Sequence, residues 1–155
     1  AGLRSGVELT GLESDCGPVA AVVEALYAAG GRPRFMRGPA RGGFATVLAE
    51  LAEESKLSVL LREADLPVRD SVRGVSDILG LDPLYLACEG RVVVVVPGGE
   101  AERALAAMKS APRGEGSALI GAVTAAAAGP VVLETRYGGT RLYDILASEQ
   151  LPRIC

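Results

Sequence analysis

The chain has 155 residues, 49% of them apolar and 23% charged, and a net charge of −3. That is globular rather than disordered chemistry, and long enough for one domain with a buried core. An acidic balance with 4% aromatics argues against a nucleic-acid surface, and the lack of histidine removes His-based triads, bases and metal sites.

In chain order, "SDCGPVAAVVEALYAAGG" predicts a helix. Ser14 or Asp15 would cap it, Pro18 would sit in its first turn, and Gly30-Gly31 would end it. "RPRFMRG" predicts a short strand before a Gly-rich turn. "GGFATVLAELAEES" returns to helical spacing through Phe44, Val47, Leu48 and Leu51. "KLSVLLREA" predicts a strand, "LPVRD" a loop, and "SVRGVSDILG" a short helix closed by Gly80. "DPLYLACEG" reads as a strand running into a turn at Glu89-Gly90.

"RVVVVVP" is the clearest strand signal. Five β-branched residues, apolar on both faces and stopped by Pro97, predict a central strand covered on both sides. "GEAERALAAMKS" predicts a helix and "APRGEG" a loop. "SALIGAVTAA" and "GPVVLETR" predict two strands joined by a small-residue turn. The rest reads as a turn, a short strand or helix, and a tail in which Pro152 stops any helix. The fold class expected is an α/β sandwich, with a mixed β-sheet covered by helices.

Cys16, Cys88 and Cys155 are odd in number and widely spaced, so a disulfide framework is not expected and a reducing cytosol fits. No signal-peptide pattern opens the sequence. The stretch from Ala118 to Leu133 is broken by Thr124 and Gly129-Pro130, short of the roughly 20 residues of a membrane helix. A soluble, cytoplasmic protein without membrane or nucleic-acid partners is expected.

Nucleotide-loop patterns are absent: there is no GxxxxGK[ST], and "RGEGSALIG" fails GxGxxG. "MRGPARGGFATVLAEL" is more informative. Arg37 and Arg41 flank a turn that opens through Gly42-Gly43 into a helix, where free backbone N–H groups and guanidinium groups suit an anion. A tight turn with solvated arginines accounts for the same residues. Glu89 could serve as a base beside a glycine that allows close approach, or be an ordinary turn acid. Cys16 falls in a predicted first helical turn, where the dipole favours thiolate, yet packing explains both internal cysteines as well.

Cys155 ends the chain. A thiol on a terminal tail could reach into a second active site as a carrier, or simply happen to be last.

The segments "ESDCGPVAAVV", "MRGPARGGFATVLAELAEES", "LGLDPLYLACEG" and the terminal "LPRIC" together resemble the C-terminal half of the hydrogenase expression/formation protein HypE family. That family belongs to the superfamily of aminoimidazole ribonucleotide synthetase and selenophosphate synthetase. The resemblance spans essentially all 155 residues. It implies a C-terminal α/β domain over residues 1–147 and a mobile tail over 148–155. An ATP- and Mg2+-binding N-terminal half and a homodimer would belong to the longer protein, with no cofactor expected in this fragment.

The implied chemistry is [NiFe]-hydrogenase maturation. Cys155 would accept a carbamoyl group from a HypF-like carbamoyltransferase. ATP-dependent dehydration would turn the thiocarboxamide into a thiocyanate, and cyanide would pass to iron on a HypC–HypD-like scaffold. Glu89 would be the base, and Arg37, Arg41, Gly42 and Gly43 would lie near phosphate. Gly38, Ala40, Ala49 and Cys88 stand where the family usually carries Asp, Thr and two Asn. The alternatives are a non-catalytic docking or carrier module, or another member of the superfamily.

Overall fold

Alternation of apolar residues dictates the main sheet. In "SVLLR", Val59 and Leu61 face one way and are buried, while Ser58, Leu60 and Arg62 face the other, where burial falls from Ser58 to the exposed Arg62. The structure, a computed structural model, describes residues 11–125 and 131–145. Its elements are α1 (Ala20–Ala28), β1 (Phe35–Arg37), α2 (Gly43–Ser55), β2 (Ser58–Arg62) and α3 (Asp70–Leu79). They continue with β3 (Val93–Val95), α4 (Ala101–Ser110), β4 (Gly121–Thr124), β5 (Val131–Glu134) and β6 (Thr140–Tyr143).

The four-stranded sheet has the order β4-β2-β5-β6. β2 runs antiparallel to β4 and parallel to β5, and β6 returns antiparallel to β5. This is a mixed sheet with helices against it, the α+β architecture expected. A second, two-stranded sheet pairs β1 with β3, Phe35 opposite Val95.

The core lies between the sheet and α2. Ala45, Leu48, Ala49 and Ala52, spaced for one helical face, pack on Val59, Leu61, Val131, Leu133 and Tyr143. Small alanines at the contact let the helix approach the sheet closely. The expected stripe is therefore shifted: Val47 and Leu48 are buried, whereas Phe44 and Leu51 are only half-buried. Tyr143 anchors the end of β6 twice. Its ring lies 5.5 Å from that of Tyr85, and its hydroxyl donates to the Asp82 carboxylate at 2.7 Å. Burial and that carboxylate push the Tyr143 phenol well above its usual range.

Several local expectations fail for identifiable reasons. α1 begins at Ala20 with Val19 as its cap residue, so Pro18 precedes the helix and Cys16 lies outside it. The presumed cap side chains act elsewhere. Ser14 accepts from the Cys16 N–H, and Asp15 accepts from the Gly90 N–H at 3.4 Å. "DPLYLACEG" is no strand: the Asp82 carboxylate accepts from Leu84 N–H and caps a 3-10 turn over Pro83–Tyr85.

The valine run yields only three strand residues, and among the described residues they are hydrogen-bonded to β1 alone. β4 and β5 are not neighbours either, because β2 lies between them. The small-residue turn expected between them falls on 126–130, outside the described residues.

Candidate functional site

Three loops meet at the start of α2. Gly42 and Gly43 both adopt left-handed backbone, with φ of 69° and 63°. This conformation turns the chain sharply out of β1 and starts the helix without a side-chain cap. Gly43 is pressed against the 3-10 turn. A Cβ there would fall 2.4 Å from the Leu84 carbonyl oxygen and 2.6 Å from that of Leu86.

The loop between β1 and the glycines is tied to the "CEG" segment by a backbone bond, Cys88 N–H to the Pro39 carbonyl at 2.9 Å. Gly90 in turn closes on the first loop. A Cβ at Gly90 would fall 1.7 Å from the Asp15 carbonyl, so only glycine permits this contact. Two motifs separated by more than forty residues, each singled out by its own sequence, therefore share one edge of the molecule.

Within this edge the two arginines differ. Arg37 forms an ion pair with Glu50 of α2 through one guanidinium nitrogen and is otherwise half-exposed. Arg41 is exposed and makes no ion pair among the described residues. Beneath the glycine turn, the Thr46 hydroxyl is enclosed without a hydrogen-bond partner. A Cβ on Gly42 would fall 2.2 Å from that oxygen, so the hydroxyl sits directly under the glycine backbone. Backbone donors at a helix start and the exposed Arg41 guanidinium make an edge that suits phosphoryl oxygen, while the orphaned hydroxyl lies enclosed beneath it.

Glu89 is exposed at the neighbouring turn. Cys155 lies outside the described residues. Among the described residues no group of three or more Cys, Asp or Glu side chains could hold a metal ion. No helix among them is long and apolar enough to cross a membrane.

Sequence reasoning passed over Asp15 and Thr46. Asp15 looked like a helix cap because an acid before a helix usually is one. Thr46 looked like an ordinary helix-interior residue, and only the close approach of Gly42 sets it apart. Of the positions that depart from the usual pattern, Ala49 is buried in the α2–sheet core and Cys88 is half-buried. Burial, then the Asp15 carboxylate, push the Cys88 thiol up to about 11.

That shift yields a test. At pH 8 about one Cys88 thiol in a thousand is ionised, three units below its pKa. With iodoacetamide at pH 8, exposed Cys16 should be alkylated while Cys88 stays unmodified, as read by peptide mass. Raising the pH towards 11 should bring Cys88 into reaction. Equal labelling of the two at pH 8 would refute the burial argument.

Residues 8–134 match the family described as "AIR synthase related protein, C-terminal domain", and the chain belongs to it. Among curated proteins, it is similar to the carbamoyl dehydratase HypE of Rhodobacter capsulatus, 45% identical over 153 residues. That match covers 98% of this chain and 45% of the relative.

A solved structure of the hydrogenase maturation protein HypE superposes with a TM-score of 0.91 at 44% identity. It covers 99% of this chain and 50% of that one. A HypE structure in complex with ATP gives 0.87 at 41% identity, covering 96% and 46%. HypE in a HypE–HypF complex gives 0.85 at 36%, covering 92% and 47%. The chain spans about half the length of the proteins it matches.

Proposed function

We propose that these residues form the thiol-bearing half of an ATP-dependent carbamoyl dehydratase acting in hydrogenase maturation. The observation that carries this reading is the Pro39–Cys88 backbone bond. It sets the donor-rich start of α2 beside the Glu89 turn. Phosphoryl recognition and proton removal, the two needs of an ATP-driven dehydration, thereby fall on one edge.

The chemistry balances without an external oxidant or reductant. The Cys155 thiolate attacks the carbonyl carbon of a carbamoyl donor, the bond to the donor's carrier group breaks and that group leaves, and the cysteine becomes a thiocarboxamide, S–C(=O)NH2. Its amide oxygen takes the terminal phosphoryl group of ATP, releasing ADP. Loss of two N–H protons and of phosphate then leaves S–C≡N. Carboxamide oxygen is a poor leaving group and phosphate a good one, which is why ATP is consumed.

In this reading Glu89 accepts the amide protons, and Arg41, with the Gly42-Gly43 backbone, stabilises charge on the departing phosphate. Arg37 contributes by bonding Glu50 and so fixing the end of β1 against α2. Mg2+, an acidic ligand set and the second catalytic group belong to the remainder of the longer protein. The HypF-like donor, the HypC–HypD-like acceptor, the homodimer and the cytoplasmic setting are likewise assigned to that protein. In this reading residues 1–147 are assigned to the domain, and 148–155 to the segment that carries the acceptor thiol.

The test is mass spectrometry of the C-terminal peptide. The 155-residue chain, incubated with carbamoyltransferase, carbamoyl phosphate and ATP, should gain one carbamoyl group on Cys155 and retain it. Cys155→Ala should gain none and keep its melting temperature, since a terminal residue contributes little to the core. An unlabelled wild-type chain with an active transferase would overturn the carrier assignment and favour a docking module.

A further inference from the structure

Glu89 is held from both sides. Cys88, before it, donates its backbone N–H to the Pro39 carbonyl at 2.9 Å. Gly90, after it, donates its backbone N–H to the Asp15 carboxylate at 3.4 Å. The two anchors differ in kind. The first joins backbone to backbone and does not depend on which side chains are present. The second depends on one side chain, 75 residues away in sequence.

Nothing local competes for the Asp15 carboxylate. The neighbouring Cys16 N–H goes to the Ser14 hydroxyl at 3.2 Å, and among the described residues Asp15 forms no ion pair. The backbone around it lies against the same turn. A Cβ on Gly90 would fall 1.7 Å from the Asp15 carbonyl oxygen and 3.2 Å from the Gly17 nitrogen. The carboxylate is felt on the other side of Glu89 as well, since after burial it does most to raise the Cys88 thiol.

We propose that Asp15 is a positioning residue for Glu89: by accepting from the Gly90 N–H it fixes the backbone on which the Glu89 side chain is mounted. The inference rests on the reading of Glu89 as the base. Glu89 is exposed, so its direction is set mainly by the backbone that bears it. A proton acceptor displaced by about 1 Å can lose up to roughly 100-fold in rate. What the Gly90 bond requires is an acceptor oxygen rather than a charge, so Asn can replace Asp and Ala cannot.

The experiment follows dehydration of carbamoylated Cys155 in the longer protein, by the mass of the C-terminal peptide. Asp15→Ala should slow it roughly 10- to 100-fold without impairing carbamoylation, and Asp15→Asn should recover most of that rate. In a Glu89→Gln background Asp15→Ala should slow it no further, a result that general damage to the fold would not give. A second measurement needs no turnover. In the 155-residue chain, Asp15→Asn should move the pH profile of Cys88 alkylation to lower pH, with Arg91 and Glu89, the other charges acting on that thiol, left in place.

Asp15→Ala at the wild-type rate, Asp15→Asn as slow as Asp15→Ala, or an equal loss in the Glu89→Gln background would each overturn the positioning role. An unmoved Cys88 profile would overturn it too, since the carboxylate would then not face this turn. Glu89→Gln at the wild-type rate would instead remove the base assignment, and the role of Asp15 with it.

Discussion

Replacing Glu89 by Gln in the longer protein is expected to leave carbamoylation of Cys155 intact and slow its dehydration by roughly 10²- to 10⁴-fold. Gln keeps the size and the hydrogen-bonding oxygen but cannot take a proton. Glu89 is exposed, so the substitution should not disturb packing, and an unchanged melting temperature would show this. The readout is the mass of the C-terminal peptide, with the thiocarboxamide accumulating where the wild type proceeds to thiocyanate. Dehydration at the wild-type rate would remove Glu89 from the proton-transfer role and leave the carrier function of Cys155 standing.

Gly43→Ala should damage the fold itself. The new methyl group would need φ near 63° and would meet two backbone carbonyls inside van der Waals contact. Left-handed backbone costs a non-glycine residue about 1–2 kcal/mol, and the clash adds a similar amount or more. A loss of about 3 kcal/mol corresponds to a fall of roughly 10 °C in melting temperature for a chain of this size. Gly42→Ala should cost somewhat less, because its Cβ would meet one side chain rather than two backbone carbonyls, although rotation of Thr46 moves its hydroxyl and not its Cβ. Calorimetry on both variants tests the order. A Gly43→Ala protein within about 0.5 kcal/mol of wild type would show that the α2 start and the 3-10 turn are not locked together.

Much of this architecture is legible in the sequence because it rests on local periodicity. α2, β2, α3 with its Gly80 terminus, and α4 all fall where local patterns predict them, although α3 buries only Ser76 and leaves Ile78 exposed. The failures have a common cause, in that distant partners claimed groups the local pattern had assigned nearby. Asp15 binds Gly90 rather than its own helix, and Asp82 serves Leu84 and Tyr143 at once. The valine run shows the same limit from the other side, since its composition predicts a central strand while the described residues pair it on one side only. At the site, the glycine turn and Glu89 could each be picked out alone. Their adjacency could not, because one backbone bond between Cys88 and Pro39 creates it. Thr46 became visible only once Gly42 was seen lying on top of it.

The parallel pairing of β2 with β5 carries a consequence for biosynthesis. Val59 finds its partner at Val131, and the register is completed only when Tyr143 arrives opposite Val131. On a ribosome, the alanine face of α2 must therefore wait through some seventy residues of translation before its cover is made. Nascent chains stalled in that interval present bare hydrophobic surface, and should be the species that chaperones bind most avidly.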